Sequence, residues 1–251
     1  MKAFFAALQF LTVLPVPRRF QGAEADLERC APFFPLVGLL VGAFAALFDF
    51  LVSQLLPPAI ASTLTVLILV KFTGGLHMDG LADTSDGFFS ARDRETMLAI
   101  MRDSHIGAMG VMAIVFVILI KVNALTTLEF PRRTALILLT PVAGRVALLA
   151  MMTALPYARP EGGLASRFLR HRSRANAVWG ACFLVIAGGL LAQWMGFAAA
   201  VLALAATAAV SAYSRSRIGG FTGDTLGAAC EIAESTVLLT AAAWTYGLLL
   251  F

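Results

Sequence analysis

Seven stretches of this chain, near residues 33–54, 58–75, 107–127, 134–154, 176–194, 197–213 and 235–251, are apolar over about the twenty residues a helix needs to cross the hydrocarbon core of a bilayer. No other feature restricts the fold so strongly. In lipid every backbone N–H and C=O must find a partner within the protein, which leaves helices or a closed barrel. A barrel would show ten-residue segments of alternating polarity separated by turns, and the chain has none. The expected class is all-α: a polytopic integral membrane helical bundle of about seven transmembrane helices. Charged residues make up 14% of the chain, apolar residues 59%, and the mean hydropathy is +0.84. That composition leaves no room for a water-soluble domain, so residues 1–251 are expected to form one integral membrane domain. The first sixteen residues are apolar and carry Lys2, but no small-residue cleavage site precedes Pro15 and Pro17, so they read as a re-entrant or interfacial helix rather than a signal peptide.

Lysine and arginine placement orients the bundle. Of nineteen basic residues, fourteen fall in segments on one side: Lys2, Arg18, Arg19 and Arg29, then Arg92, Arg94 and Arg102, then Arg159, Arg167, Arg170, Arg172 and Arg174, then Arg215 and Arg217. Only Arg132 and Arg133 fall on the other. The N-terminus is expected in the cytoplasm and the C-terminus outside, with segments 76–106 and 214–234 both cytoplasmic. Those two segments hold nine of the fifteen acids.

The first runs from Thr73 to Gly87 as TGGLHMDGLADTSDG. If it is helical after Gly80, Asp79, Asp83 and Asp86 are spaced i, i+4, i+7 and share one stripe. Three like charges on one stripe repel, and a hard divalent cation with oxygen ligands is the simplest remedy. The second segment reads GGFTGDTLGAACEIAE; aligning Gly219-Gly220 with Gly74-Gly75 sets Asp224 on Asp79 and Glu231 on Asp86, a short repeat of the pattern GGxxxD. Asp79, Asp83, Asp86, Asp224 and Glu231 are therefore the candidate metal ligands. The glycine pairs have a plain reading, in which they end spans, let helices approach or form a turn. In the sharper one their backbone N–H groups approach phosphate oxygens. Carboxylates alone would repel a phosphate, so a bridging cation must join the two.

Other residues carry two readings each. His77 is either a base or ligand beside Asp79 or an ordinary interfacial hydrogen-bonding residue. Arg145, in mid-span, pairs with an inward acid or a substrate phosphate, because an arginine facing lipid at that depth costs about 2.5–3.5 kcal/mol. Lys121 reads as snorkelling to the interface. In RDSHIGAMG, Arg102 and Ser104 are candidates for phosphate contact, with Asp103 or Ser104 as N-cap of the following helix the plainer alternative. The run Arg167–Arg174 reads as a contact to anionic lipid rather than a phosphate clamp. Cys30, Cys182 and Cys230 have no paired spacing, which supports neither zinc nor a disulfide framework.

GGLHMDGLADTSDGF, RDSHIGAMGV and GGFTGDTLGAACEIAE, in that order, together with AALQFLTVLPVP and PFFPLVGLLVG, resemble the signature segments of the cobalamin synthase family, the adenosylcobinamide-GDP ribazoletransferases. The likeness extends over nearly the whole chain. It implies a reaction that composition cannot show: transfer of a cobinamide phosphate from adenosylcobinamide-GDP to the ribose hydroxyl of α-ribazole or its 5′-phosphate, with release of GMP. It also implies Mg2+ as the cofactor and a bacterial cytoplasmic (inner) membrane location. On this reading the catalytic groups are His77, Asp79 and Asp83, and the phosphate-binding groups are Gly74, Gly75, Arg102, Ser104, Arg145, Gly219 and Gly220. Membrane lipid is an expected partner and nucleic acid is not; a homo-oligomer is compatible with the sequence. The rival from another class is an ion-coupled membrane transporter using the acidic cluster, disfavoured because the acids collect in two same-side segments with few inside spans. A scaffold would leave the acid stripe unexplained.

Overall fold

In the computed structural model, residues 1–17, 20, 24–159, 161–162 and 173–247 are described, and among them there is no named strand. Ten helices follow in order: α1 (Lys2–Leu11), α2 (Glu24–Glu28), α3 (Phe34–Ser53), α4 (Pro58–Phe72), α5 (Leu76–Phe88), α6 (Arg94–Ile100), α7 (Ala108–Thr126), α8 (Arg132–Ala154), α9 (Arg174–Ile218) and α10 (Gly223–Thr245). A 3-10 turn over Ala31–Phe33 leads into α3.

Helix α8 is the hub, buried along most of its length and packed by α3, α9 and α10. What lets α3 so close is the pair Gly38 and Gly42, four residues apart on one face. A Cβ on Gly38 would stand 2.6 Å from the carbonyl oxygen of Pro141, and one on Gly42 2.5 Å from that of Leu138. Pro141 itself lies inside α8 and cannot donate to the preceding turn.

Helix α9 is 45 residues, roughly 67 Å at 1.5 Å per residue, far more than one crossing needs. It is two helices. Ala192 and Gln193 leave helical geometry, Gln193 with a φ of +53°, and the chain doubles back so that Gly188 packs against the backbone of Gly196 and against Ala200. The two halves correspond to the spans expected at 176–194 and 197–213. By length and composition α3, α7, α8, α9 and α10 can each cross a membrane, and α4 with the bent α5 is a sixth candidate; the expected count of seven is reached only if each arm of α9 is a separate crossing.

Three expectations are corrected here. The last span is not 235–251: α10 starts at Gly223, secured by a capping box in which the Thr222 and Thr225 side chains exchange hydrogen bonds with each other's backbone N–H. Glu231 and Glu234 are therefore inside the bundle. Nor does Lys121 snorkel. It is buried, its Nζ 2.6 Å from both Glu231 Oε2 and Glu234 Oε2, while Arg145 Nη1 lies 2.6 Å from Glu234 Oε1. Arg133, counted as an outer-loop charge, is buried too and grips Asp49 through Nε at 2.8 Å and Nη2 at 2.6 Å, with Thr65 and Ser62 completing the group.

Candidate active site

Helix α5 leaves the line of α4 by 89° at Gly74 and Gly75. Both glycines have positive φ, +62° and +78°, which an L side chain adopts only at a cost. The plain reading of this pair therefore holds: it makes the turn. After it α5 runs across the starts of α7 and α10 instead of continuing the crossing. At the second pair, Gly219 caps α9 with φ +76°, and Gly220 leaves no space for a Cβ because the carbonyl of Pro156 fills it.

The crossing of α5 and α10 is made of glycines. A Cβ on Gly80 would be 2.7 Å from the Asp224 carbonyl oxygen, and one on Gly227 2.9 Å from that of His77. This close approach brings Asp79 and Asp83 of α5 to the first turn of α10, where Asp224 lies. The segments that the sequence aligned as a short repeat are thus in contact. The stripe of Asp79, Asp83 and Asp86 also forms as expected, all three lying within α5.

The carboxylates have separate occupations. Asp86 accepts hydrogen bonds from the backbone N–H groups of Gly107, at 2.7 Å, and Gly110, at 2.9 Å, and so caps α7 from a neighbouring helix. That corrects the local cap expected from Asp103 or Ser104; Gly107 is the N-cap residue. Asp103 instead binds His105, Oδ1 to Nδ1 at 2.6 Å. Asp224 Oδ2 accepts from Arg159 Nη2 at 2.8 Å and from Thr222 Oγ1 at 3.2 Å. Glu231 is held by Lys121 in the bundle interior and is not brought to this group, and neither is Arg145, which stays with Glu234. Asp79 and Asp83, one turn apart on α5, both line a cavity of about 330 Å³ of mixed polarity, with Arg102, Asp103 and Ser104. Arg102 forms an ion pair with Glu161. Of the expected basic cluster, Arg167, Arg170 and Arg172 lie outside the described residues.

Arg159 is the functional candidate that sequence reasoning counted only as an orienting charge. Its segment is tied to the turn before α10: Ala158 N–H donates to Phe221 O at 2.8 Å and Phe221 N–H to Pro156 O at 2.9 Å. Arg94 fastens both ends, through Nη2 to Ala158 O and Nε to Ile218 O. No local motif signals this; the bridge joins residues more than sixty positions apart.

Among the described residues no three His, Cys, Asp or Glu side chains are already grouped to hold a metal ion. Mg2+ does not ask for that. It is commonly held by one or two carboxylates, with water and substrate phosphate completing the shell. The all-oxygen donors Asp79 and Asp83 suit it, and the electrostatics does as well. Burial, reinforced by the fields of Asp79, Asp224 and Asp86 and opposed by Arg159, pushes the Asp83 carboxyl up to about 7. A cation among these groups would reverse that penalty. His77 behaves otherwise: burial, then the positive fields of Arg145 and Lys121, lower its pKa well below the usual range, which keeps the imidazole neutral. Its Nε2 has no hydrogen-bond partner among the described residues.

A second cavity, of about 380 Å³, opens on the other side of Asp79. Asp79 and Asp224 stand at its edge, and its walls come from α1, α3, α5, α8 and α10.

Residues 3–242 match the family model described as cobalamin-5-phosphate synthase. Proteins named adenosylcobinamide-GDP ribazoletransferase are similar over nearly their full length: that of Escherichia coli K12 is 41% identical, covering 95% of this chain and 98% of its own. That of Geotalea daltonii is 37% identical, over 96% of both chains, and that of Acetivibrio thermocellus 34%, over 95% and 96%. No solved structure matches.

Proposed function

Since the chain belongs to the cobalamin-5-phosphate synthase family, we propose that it completes cobamide assembly by moving the cobinamide phosphate of adenosylcobinamide-GDP to the ribose hydroxyl of α-ribazole or its 5′-phosphate, releasing GMP. The observation that carries the reading is the meeting of Asp79, Asp83 and Asp224 where α5 crosses α10, between two cavities of contrasting polarity and beside Arg159. Two substrates must converge on one phosphorus, and that arrangement provides two sites with a shared border at Asp79.

Phosphoryl transfer asks a protein mainly to position its reactants and neutralise charge. Mg2+, held by Asp79 and Asp83 with Asp224 alongside, would supply positive charge to the diphosphate oxygens. Arg159 contributes a second positive charge, fixed in place by the Phe221 bridge and Arg94. Neutral His77 serves orientation or proton handling, since a loose transition state makes little demand on a strong base. Direct attack with a single inversion at phosphorus follows, and net retention would exclude it.

The Lys and Arg asymmetry supports placing this site at the cytoplasmic face of a bacterial inner membrane. The case against the transporter alternative loses one argument, because acids do lie inside the bundle. The transporter gains no ion pathway from them, since Asp49, Glu231 and Glu234 are each bound to an arginine or lysine. The deciding experiment is GMP release from adenosylcobinamide-GDP and α-ribazole by the detergent-purified protein. Mg2+-dependent release that falls by about 10²-fold or more in Asp83→Asn is expected; no release by the wild-type protein would refute the reading.

A further inference from the structure

The 380 Å³ cavity beside Asp79 and Asp224 is apolar where it is deepest. Leu11, Phe34, Leu148, Met152 and Leu226 form its walls, all at most 8% exposed. Its outer edge holds the exposed side chains of Gln9 and Leu76. Apart from the two carboxylates at the border, Gln9 and His77 are its polar side chains. Pockets for small organic ligands have this size and character: apolar walls with a few polar groups that set orientation.

We propose that this cavity binds the base of the acceptor nucleoside, a flat, methylated benzimidazole, with the ribose directed outward to Asp79 and Asp224. The assignment rests on the proposed reaction and follows from the chemistry of its substrates. A corrin ring with its amide side chains is too large for the space. Guanine would fit but carries a carbonyl, an amine and a ring N–H, and apolar walls leave such groups without partners. A methylated benzimidazole attached to ribose retains a single free ring nitrogen, which one neutral polar side chain satisfies. The cavity that shares Asp79, with Asp83, Arg102, Asp103 and Ser104 in its lining, suits the charged diphosphate of the donor once a cation offsets its carboxylates.

The test reads the two substrates separately. A photoreactive azidobenzimidazole riboside, applied to the wild-type protein in detergent without donor, is expected to label α3 or α8 near Phe34, Leu148 or Met152, and excess α-ribazole should block the label. Leu148→Phe, which adds bulk to the cavity wall, is expected to raise the KM for α-ribazole by about tenfold or more while the KM for adenosylcobinamide-GDP stays within about twofold. Met152→Ala is expected to shift selectivity toward ribosides with a larger, naphthimidazole base. Labelling outside these helices, labelling that phospholipid blocks and α-ribazole does not, or a change in donor KM with acceptor KM unmoved would overturn the assignment. If Leu148→Phe does not fold, labelling of the wild-type protein decides. Labelling is read without turnover, so an enzyme that turns over but is labelled elsewhere refutes only the cavity assignment, whereas a protein that releases no GMP refutes the reaction.

Discussion

At the scale of single residues, the site is governed by how each carboxylate is compensated. Asp86 has two backbone donors and Asp224 has Arg159, while Asp83, among the described residues, has a penalty instead of a partner. Its folded pKa, about 7, lies above the usual carboxylate value. Without a cation, its contribution to stability is present below about pH 4 and is lost as pH rises through 7. A cation must displace the same proton to bind. The melting-temperature gain from Mg2+ over EDTA is therefore expected to grow between pH 6 and pH 8 and to shrink in Asp83→Asn; an equal gain at both pH values would count against Asp83 as a ligand. Arg159 allows a test with opposite signs. Its guanidinium competes with a cation for Asp224, so Arg159→Ala should bind Mn2+ more tightly by direct titration yet turn over more slowly. Weaker Mn2+ binding in that variant would show that Arg159 merely holds the loop.

Between helices, contacts depend on small residues and on paired charges. Gly38 and Gly42 let α3 rest on the backbone of α8 beside Pro141, so Gly42→Leu should force the helices apart and cost about 1–3 kcal/mol or more, read as a fall in melting temperature in detergent. The group of Lys121, Arg145, Glu231 and Glu234 is neutral as a whole and links α7, α8 and α10. Lys121→Met strands a buried negative charge and is expected to cost about 3–5 kcal/mol. Adding Glu231→Gln restores neutrality and should recover most of that loss. If the double variant is no more stable than the single one, the group is held together by something other than charge balance.

For the whole molecule, the path of the chain places α5 and the starts of α7 and α10 at one end of the bundle, and the Asp49–Arg133 group at the other. The proposed topology, which rests on the basic asymmetry, puts the first end in the cytoplasm. Single cysteines at Arg92 and Glu129, both exposed and at opposite ends, test this in a background with Cys182 replaced by serine. An impermeant thiol reagent outside intact cells should label the Glu129 site and not the Arg92 site; the reverse pattern would invert the topology. The sequence by itself determined the helical membrane class, the position of most of its apolar helices and the stripe of Asp79, Asp83 and Asp86, because hydropathy and helical spacing are properties of neighbouring residues. It misplaced the last span because Asp224, Glu231 and Glu234 make residues 223–234 look too polar to enter lipid, and the basic groups that neutralise Glu231 and Glu234 lie on α7 and α8. For the same reason Lys121 looked like a snorkelling residue, and Arg159 like a loop charge. Which carboxylates meet, which are already paired, and which apolar walls close around a cavity depend on contacts between helices that are far apart in the chain. Only the tertiary structure decided those.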